Sequence, residues 1–253
     1  MQNNNPSSTP IVMVKTLSKS QCPQEGHEKL NVPYAQVVGS LMYAMLCTRS
    51  DLAYPAGLVS RYQSNPGSAH WEAVKRIMKY IKGTKHLKLC FQAEKLEVIG
   101  YSDTDFGGDR DDCKSTSCHV FIFGGAVVSW DSKKQGCVVR HTQEAEYNAC
   151  SMATTHAVWI RRFLMEFGLD LVNGPVEIFC DNQAAISLIH SGANSSKEKH
   201  VEIQYHYIRD IVEKCEIKVT YILTSDMVAD PLTKGIHAEA YIKHVNLMGL
   251  RAI

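Results

Sequence analysis

The hydrophobic positions of this 253-residue chain change their period near residue 87. Before that point apolar residues recur every three or four positions, the spacing of one helix face. Val37, Val38, Leu41, Met45 and Leu46 predict a helix over Tyr34–Thr48. Asp51–Tyr62 reads as a second helix with an irregularity at Pro55. The turn Asn65-Pro66-Gly67 leads into a third, Ala69–Lys82, which carries Val74, Ile77, Met78 and Ile81 on one stripe and stops at Gly83.

From Leu87 the pattern becomes strand-like. Apolar residues dominate Leu87–Phe91, and Leu96–Asp105, Ser117–Phe123 and Val127–Trp130 read as three antiparallel strands with a hairpin turn at Gly124-Gly125. Cys137–Arg140 reads as one more short strand. A long helix, Glu144–Phe167, ends at Gly168. A strand Val176–Cys180, a helix Gln183–His190, a Ser/Gly/Asn loop and a helix of about Val201–Lys214 follow. Ile217–Ile222 is the last strand and Met227–Lys234 a short helix. Three meandering strands followed by strand–helix alternation predict an α/β fold, a mixed sheet flanked by helices and preceded by a small helical module.

Composition narrows the setting. The net charge is +1, so any affinity for nucleic acid must come from local patches. One such patch is the polar face of the third helix, with Lys75, Arg76, Lys79 and Lys82, then Lys85 and Lys88. It is either a solvated face or a phosphate-tracking surface. The nine cysteines are odd in number and none is spaced Cys-x-x-Cys, which argues against a zinc ribbon or a disulfide framework and fits a reducing, intracellular setting. No apolar stretch is long enough to span a bilayer. The polar residues 1–30 are expected to be a disordered tail.

The chemistry concentrates in acids at element ends. Tyr101–Gly108 holds Asp103 and Asp105, which alternation puts on one strand face, although Asp and Gly-Gly also make ordinary turns. Asp181 follows the strand Val176–Cys180, at a carboxyl end where α/β sheets bind ligands; helix capping is the plainer explanation. On the long helix Glu146 shares a stripe with Ala149, Cys150, Ala153 and Ala157, whereas Glu144 shares one with Asn148, Ser151 and Thr155. A buried glutamate needs a partner such as a metal, so Glu146 is the stronger candidate, and Glu144 suits a first helical turn. Asp230 begins the last short helix, where capping is again the alternative. Clustered carboxylates suit hard divalent cations, and two Mg²⁺ ions serve phosphodiester hydrolysis.

The chain resembles the carboxyl-terminal part of the Pol polyprotein of copia-type LTR retrotransposons. The likeness rests on Val38–Tyr43, Thr48–Tyr54, Tyr80–Thr84, Tyr101–Asp105, Ser115–Ser117, Ser132–Gln135, Glu144–Tyr147, Cys180–Gln183, Tyr205–Arg209 and Ala229–Lys234, in that order. It runs from about residue 33 to 236. It implies an RNase H-like fold and a nuclease that cuts the RNA strand of RNA–DNA hybrids. An acidic tetrad at Asp103, Glu146, Asp181 and Asp230 would hold two Mg²⁺ ions, with Mn²⁺ as a substitute. The implied division is a helical thumb or connection remnant of reverse transcriptase over 31–92, an RNase H-like domain over 93–236, and a tail over 237–253. The implied location is a cytoplasmic virus-like particle. The polymerase's Tyr-x-Asp-Asp type motif and the integrase are absent from the chain, so DNA synthesis by it alone is not expected. Three positions depart from the family pattern: Cys118 stands for a Gly, Arg140–Gln143 for a Ser-rich lead, and Pro231 for an apolar residue. They raise the alternative of an inactive remnant that at most binds nucleic acid.

Overall fold

The computed structural model describes residues 5–13, 17–24, 30–92, 96–168, 174–191 and 199–252, with side chains from 206 onward in the last stretch. Helices α1 (Tyr34–Cys47), α2 (Ala53–Ser60) and α3 (Ser68–Gly83) come first, then a short strand β1 (Leu87–Leu89). The main sheet consists of β2 (Ile99–Asp105), β3 (Thr116–Phe123), β4 (Ala126–Lys134), β5 (Val176–Cys180) and β6 (Ile217–Tyr221). Helix α4 (Thr142–Glu166) joins β4 to β5, α5 (Gln183–Ser191) and α6 (Lys199–Glu213) join β5 to β6, and α7 (Ala238–Leu247) and β7 (Leu250–Ala252) end the fold. The strand order is β4-β3-β2-β5-β6. β2 pairs antiparallel with β3 and parallel with β5, so it is the strand where the meander meets the parallel half. This is the expected mixed five-stranded sheet flanked by helices, with a helical module before it.

Small residues let α4 lie close to the sheet. Ala149, Cys150, Ala153 and Ala157 are fully buried, and the last three join Phe121, Ile178, Ile208 and Ile217 in one core. Each large apolar side chain removed from water there contributes about 1.5–3 kcal/mol before entropy is counted. A second core lies within the helical module, around Val38, Leu52, Val59, Val74 and Ile77. The other face of the sheet supplies Val120 and Val127 to a third core, which Met227, Val228, Ala229 and Leu232 fill together with Ala53 and Met248.

Several expected elements are shaped differently. Residues 137–140 form no strand; β4 itself runs to Lys134, and the following link buries Val139 but leaves Val138 exposed. The expected helix Met227–Lys234 shrinks to one 3₁₀ turn, Asp230–Leu232, because Met227 keeps an extended backbone while the run Met227–Ala229 buries its side chains in the third core. Pro55 does not disturb α2, since it falls in the first turn, where its missing N–H costs nothing. The expected loop at 192–198 lies outside the described residues.

Neither end behaves as its composition suggests. In the amino-terminal 30 residues Leu17 is buried in the module's core, and Thr9 accepts a hydrogen bond from Arg76 (2.9 Å). Polar composition concealed these few anchoring contacts. Residues 238–252 are not a tail: β7 pairs antiparallel with β1, and Tyr241, Val245 and Leu250 complete the module's core. Apolar spacing alone does not reveal so distant a partner.

One buried ion pair ties these parts together. Asp51, fully buried, accepts from Arg49 Nε (2.9 Å), Arg49 Nη2 (2.7 Å) and the Tyr80 hydroxyl (2.6 Å). The Tyr241 hydroxyl donates to the Asp51 backbone carbonyl (2.7 Å), which pins α7 to the module. Removing one partner strands the other charge in a dry interior. Asp51→Ala is therefore expected to cost about 3–5 kcal/mol of stability in urea denaturation. A loss below about 1 kcal/mol, the level of an exposed ion pair, would contradict this role.

Candidate metal centre

The parallel register of β2 and β5 decides where two acids meet. Ile99, Gly100 and Tyr101 pair with Glu177, Ile178 and Phe179. Two residues beyond the last pair lie Asp103 on one strand and Asp181 after the other. Both are at carboxyl ends, where α/β sheets open a crevice for ligands. Asp103 is only 1% exposed. Its Oδ2 accepts from the Thr233 hydroxyl at 2.5 Å and lies 3.8 Å from Lys234 Nζ.

Capping does not explain Asp181. Asn182 caps α5, its Oδ1 accepting from the Ala185 N–H (3.0 Å). The Asp181 carboxylate instead accepts from the Thr224 hydroxyl (2.8 Å). Nor does Asp230 cap its turn; its Oδ1 is 2.9 Å from Lys234 Nζ, one helical turn onward. Asp105 behaves as a turn residue. Its Oδ1 accepts from the Gly108 N–H (2.7 Å), and a side chain at Gly108 would collide with that carboxylate.

Helix α4 brings the remaining acid. Glu146 is 4% exposed on the small-residue stripe, whereas Glu144 sits half-buried in the first turn. Ligand-capable atoms of Glu146, Cys180 and Asp181 all lie within 4.8 Å of one another. Glu146 Oε2 is buried with no hydrogen-bond partner among the described residues. An orphaned buried carboxylate oxygen is costly, and a cation is the partner that relieves it.

Burial and mutual repulsion dominate the electrostatics. Desolvation, with the charges of Asp230 and Asp181, pushes the Asp103 carboxyl up to about 7, despite the opposing pull of Lys234 and the Thr233 hydrogen bond. Desolvation and then Asp103 push Glu146 to about 11. Without a metal, Glu146 holds its proton near neutral pH and Asp103 is in the middle of its titration there. The Cys180 thiol, hydrogen-bonded with Cys150 and buried, is driven far up and stays neutral, so it adds no anion. A donor set drawn from these carboxylates would be all oxygen, which suits a hard divalent cation rather than a soft metal.

Sequence reasoning did not single out Thr224, Thr233, Lys234 or Cys180. For two of them a signal existed: Thr233 and Lys234 follow Asp230 by three and four positions, the spacing that returns to one side of a turn. Thr224 sits in a polar connection, and its meeting with Asp181 is purely tertiary.

The raised carboxyl pKa values fix a sign. An acid with a folded-state pKa above its unfolded value binds more protons when folded, so stability falls as pH rises between the two. For Asp103 that window runs from 3.8 to about 7, and for Glu146 it opens at 4.5 and runs to about 11. The metal-free protein is expected to lose stability between pH 5 and 8 by an amount on the order of 5 kcal/mol, measured by urea denaturation in chelator. Asp103→Asn should flatten the lower part of the slope, and Asp103→Asn with Glu146→Gln should remove it. An unchanged slope in the double variant would refute the assignment.

No protein-family model matches the chain. Among curated proteins it is 42% identical over 255 residues to a retrovirus-related Pol polyprotein from transposon TNT 1-94 of Nicotiana tabacum, a match covering all of this chain and 19% of that protein. It is 38% identical to the corresponding polyprotein from transposon RE2 of Arabidopsis thaliana, over 82% of this chain and 14% of that protein. Among solved structures, the crystal structure of LC11-RNase H1 in complex with an RNA/DNA hybrid aligns with 59% of the chain and 98% of its own, at 19% identity and a TM-score of 0.39. The weight rests on the sequence relatives, of whose length the chain spans less than a fifth. With its motifs in order and its own whole length aligned with the first of these relatives, the chain is related to a segment of the Pol polyproteins of copia-type retrotransposons.

Proposed function

We propose that this chain is the RNase H-type nuclease portion of a retrotransposon Pol polyprotein, hydrolysing the RNA strand of RNA–DNA hybrids. Asp103, Glu146, Asp181 and Asp230 would hold two Mg²⁺ ions, with Mn²⁺ able to substitute. One observation carries the reading: β2, α4, the end of β5 and the Asp230 turn direct four acids to one end of the sheet, two of them buried with raised pKa values. Paired divalent cations, when bound, supply activation of a water and stabilisation of the leaving oxygen. The protein's own part is positioning. Thr233 holds Asp103, Thr224 holds Asp181, and α4 holds Glu146 against the sheet. Asp103 and Glu146 must give up their protons as the cations enter.

Hybrids are recognised by backbone shape and the 2′-OH, so a base-reading motif is not required. The basic face of α3 is partly covered: Lys75, Arg76 and Lys79 line a cavity of about 600 Å³ against residues from the stretch 5–12. Lys82, Lys85 and Lys88 remain exposed and are the proposed phosphate contacts.

The three departures from the family pattern fit the fold. Cys118 is buried, with its thiol donating to the Ala229 carbonyl (3.3 Å), beside Asp230. Pro231 occupies an early position of its 3₁₀ turn, and Gln143 donates from α4 to the Ala184 carbonyl (2.9 Å). None displaces a carboxylate, and that favours an active site over a remnant.

Incubation of the purified chain with a labelled RNA–DNA hybrid and Mg²⁺ is expected to cut the RNA strand. Asp181→Asn and Glu146→Gln should each lower the rate by about 100-fold or more, and Glu144→Gln by less than about threefold. Absence of cleavage by folded wild type, in Mg²⁺ and in Mn²⁺, would reject the reading.

A further inference from the structure

Lys234 is the one cation placed between two of the clustered acids among the described residues. Its Nζ lies 2.9 Å from Asp230 Oδ1 and 3.8 Å from Asp103 Oδ2, on the Asp230 side of the group. On the other side the Glu146 and Asp181 carboxylates approach each other beside the neutral Cys180 thiol, and Glu146 Oε2 is without a hydrogen-bond partner among the described residues. The acidic group is therefore uneven: Asp230 Oδ1 and Glu146 Oε2 both lack a hydrogen-bond partner among the described residues, but only Asp230 Oδ1 is ion-paired with an ammonium.

We propose that Lys234 is a built-in occupant of the Asp103–Asp230 half of the site, and that a divalent cation enters that half only by displacing it. The inference rests on the metal-binding reading above and deepens it. An ammonium and a divalent cation compete for the same carboxylate oxygens, and neither tolerates the other within a few ångströms in a poorly solvated site. The Lys234 side chain is 39% exposed, and its long stem gives the ammonium a route towards solvent. Thr233 stays with Asp103 by its own hydroxyl bond, so Asp103 keeps its orientation when the lysine leaves. The two halves then fill in order. A first cation binds at Glu146 and Asp181 without disturbing Lys234, and a second binds more weakly because it must expel the ammonium. Lys234 is a positioning residue whose charge sets the metal concentration at which the site is complete.

The test is metal binding without nucleic acid. Mn²⁺ titrations of the full chain, followed by electron paramagnetic resonance, would compare wild type with Lys234→Ala and Lys234→Met, each checked for folding by circular dichroism. Wild type is expected to show one tighter and one weaker ion, with Asp181→Asn losing the tighter. Both lysine variants should bind the weaker ion at least about tenfold more tightly and leave the tighter one nearly unchanged. Should neither variant fold, the ammonium resonance of Lys234 in ¹⁵N-labelled wild type, titrated with Mg²⁺, serves instead. It should shift with the second binding event and not with the first. Equal affinities in wild type and the lysine variants, or a resonance indifferent to the second ion, would overturn the role of Lys234 while leaving the metal centre intact. Absence of bound Mn²⁺ in all of the folded proteins would overturn both.

Discussion

Crowding of negative charge at the carboxyl end of β2 is the constraint on which the rest of the site depends. Four carboxylates around one crevice repel one another, and burial of Asp103 and Glu146 raises the cost of each charge further. The protein offsets the cost in three ways that need no metal: protons on Asp103 and Glu146, the Lys234 ammonium, and the hydroxyls of Thr224 and Thr233. Each of these is removable or compatible with a cation. A permanent solution, such as an arginine fork on Asp103, would have stabilised the fold and closed the site. Asp51 provides the contrast. There Arg49 makes that fork, the ion pair is buried, and its role is cohesion.

The same constraint gives meaning to the helical module. Asp230 is reached only through the run Met227–Leu232, and that run is packed between the outer sheet face and residues from α2 and the chain's last turn. The Cys118 thiol and Ser132 hydroxyl fix it by donating to the carbonyls of Ala229 and Leu232, while Val127 N–H donates to the Met248 carbonyl. The segment bearing the fourth carboxylate is therefore held from both sides. Residues near 50 and near 248 help to place an acid at 230, and the division into a remnant, a domain and a tail understates this dependence.

Much of the main sheet was legible because its signals are local. The period change near residue 87, the glycine pair after Phe123 and the small-residue stripe of α4 each follow from a few neighbouring residues. The same stripe argument separates Glu146 from Glu144, and the structure buries the former and leaves the latter in the first turn. What stayed hidden depends on distance along the chain. Nothing near Leu87 or Leu250 announces that they belong to one small sheet, since two three-residue strands have no period of their own. The polar first 30 residues conceal Leu17 because one buried leucine does not alter an average. The Met227–Lys234 run has helix-like composition, yet the sheet takes its apolar side chains before a second turn forms.

The acids themselves show why position in the fold settles what residue type leaves open. Asp103, Asp105, Asp181 and Asp230 all stand at element ends, where an aspartate is an ordinary capping or turn residue. In the structure only Asp105 takes that part, by accepting the Gly108 amide. Asn182 relieves Asp181 of capping, and Asp230 turns to Lys234 rather than to its own backbone. Once an adjacent residue or a different pairing meets the backbone's need, the carboxylate is free to join a shared site. The register of β2 and β5 then places Asp103 and Asp181 at one level, and the depth of α4 on its alanines brings Glu146 to meet them. A one-residue slip of β5 would send Asp181 to the opposite sheet face, so the pairing that builds the core also sets the site.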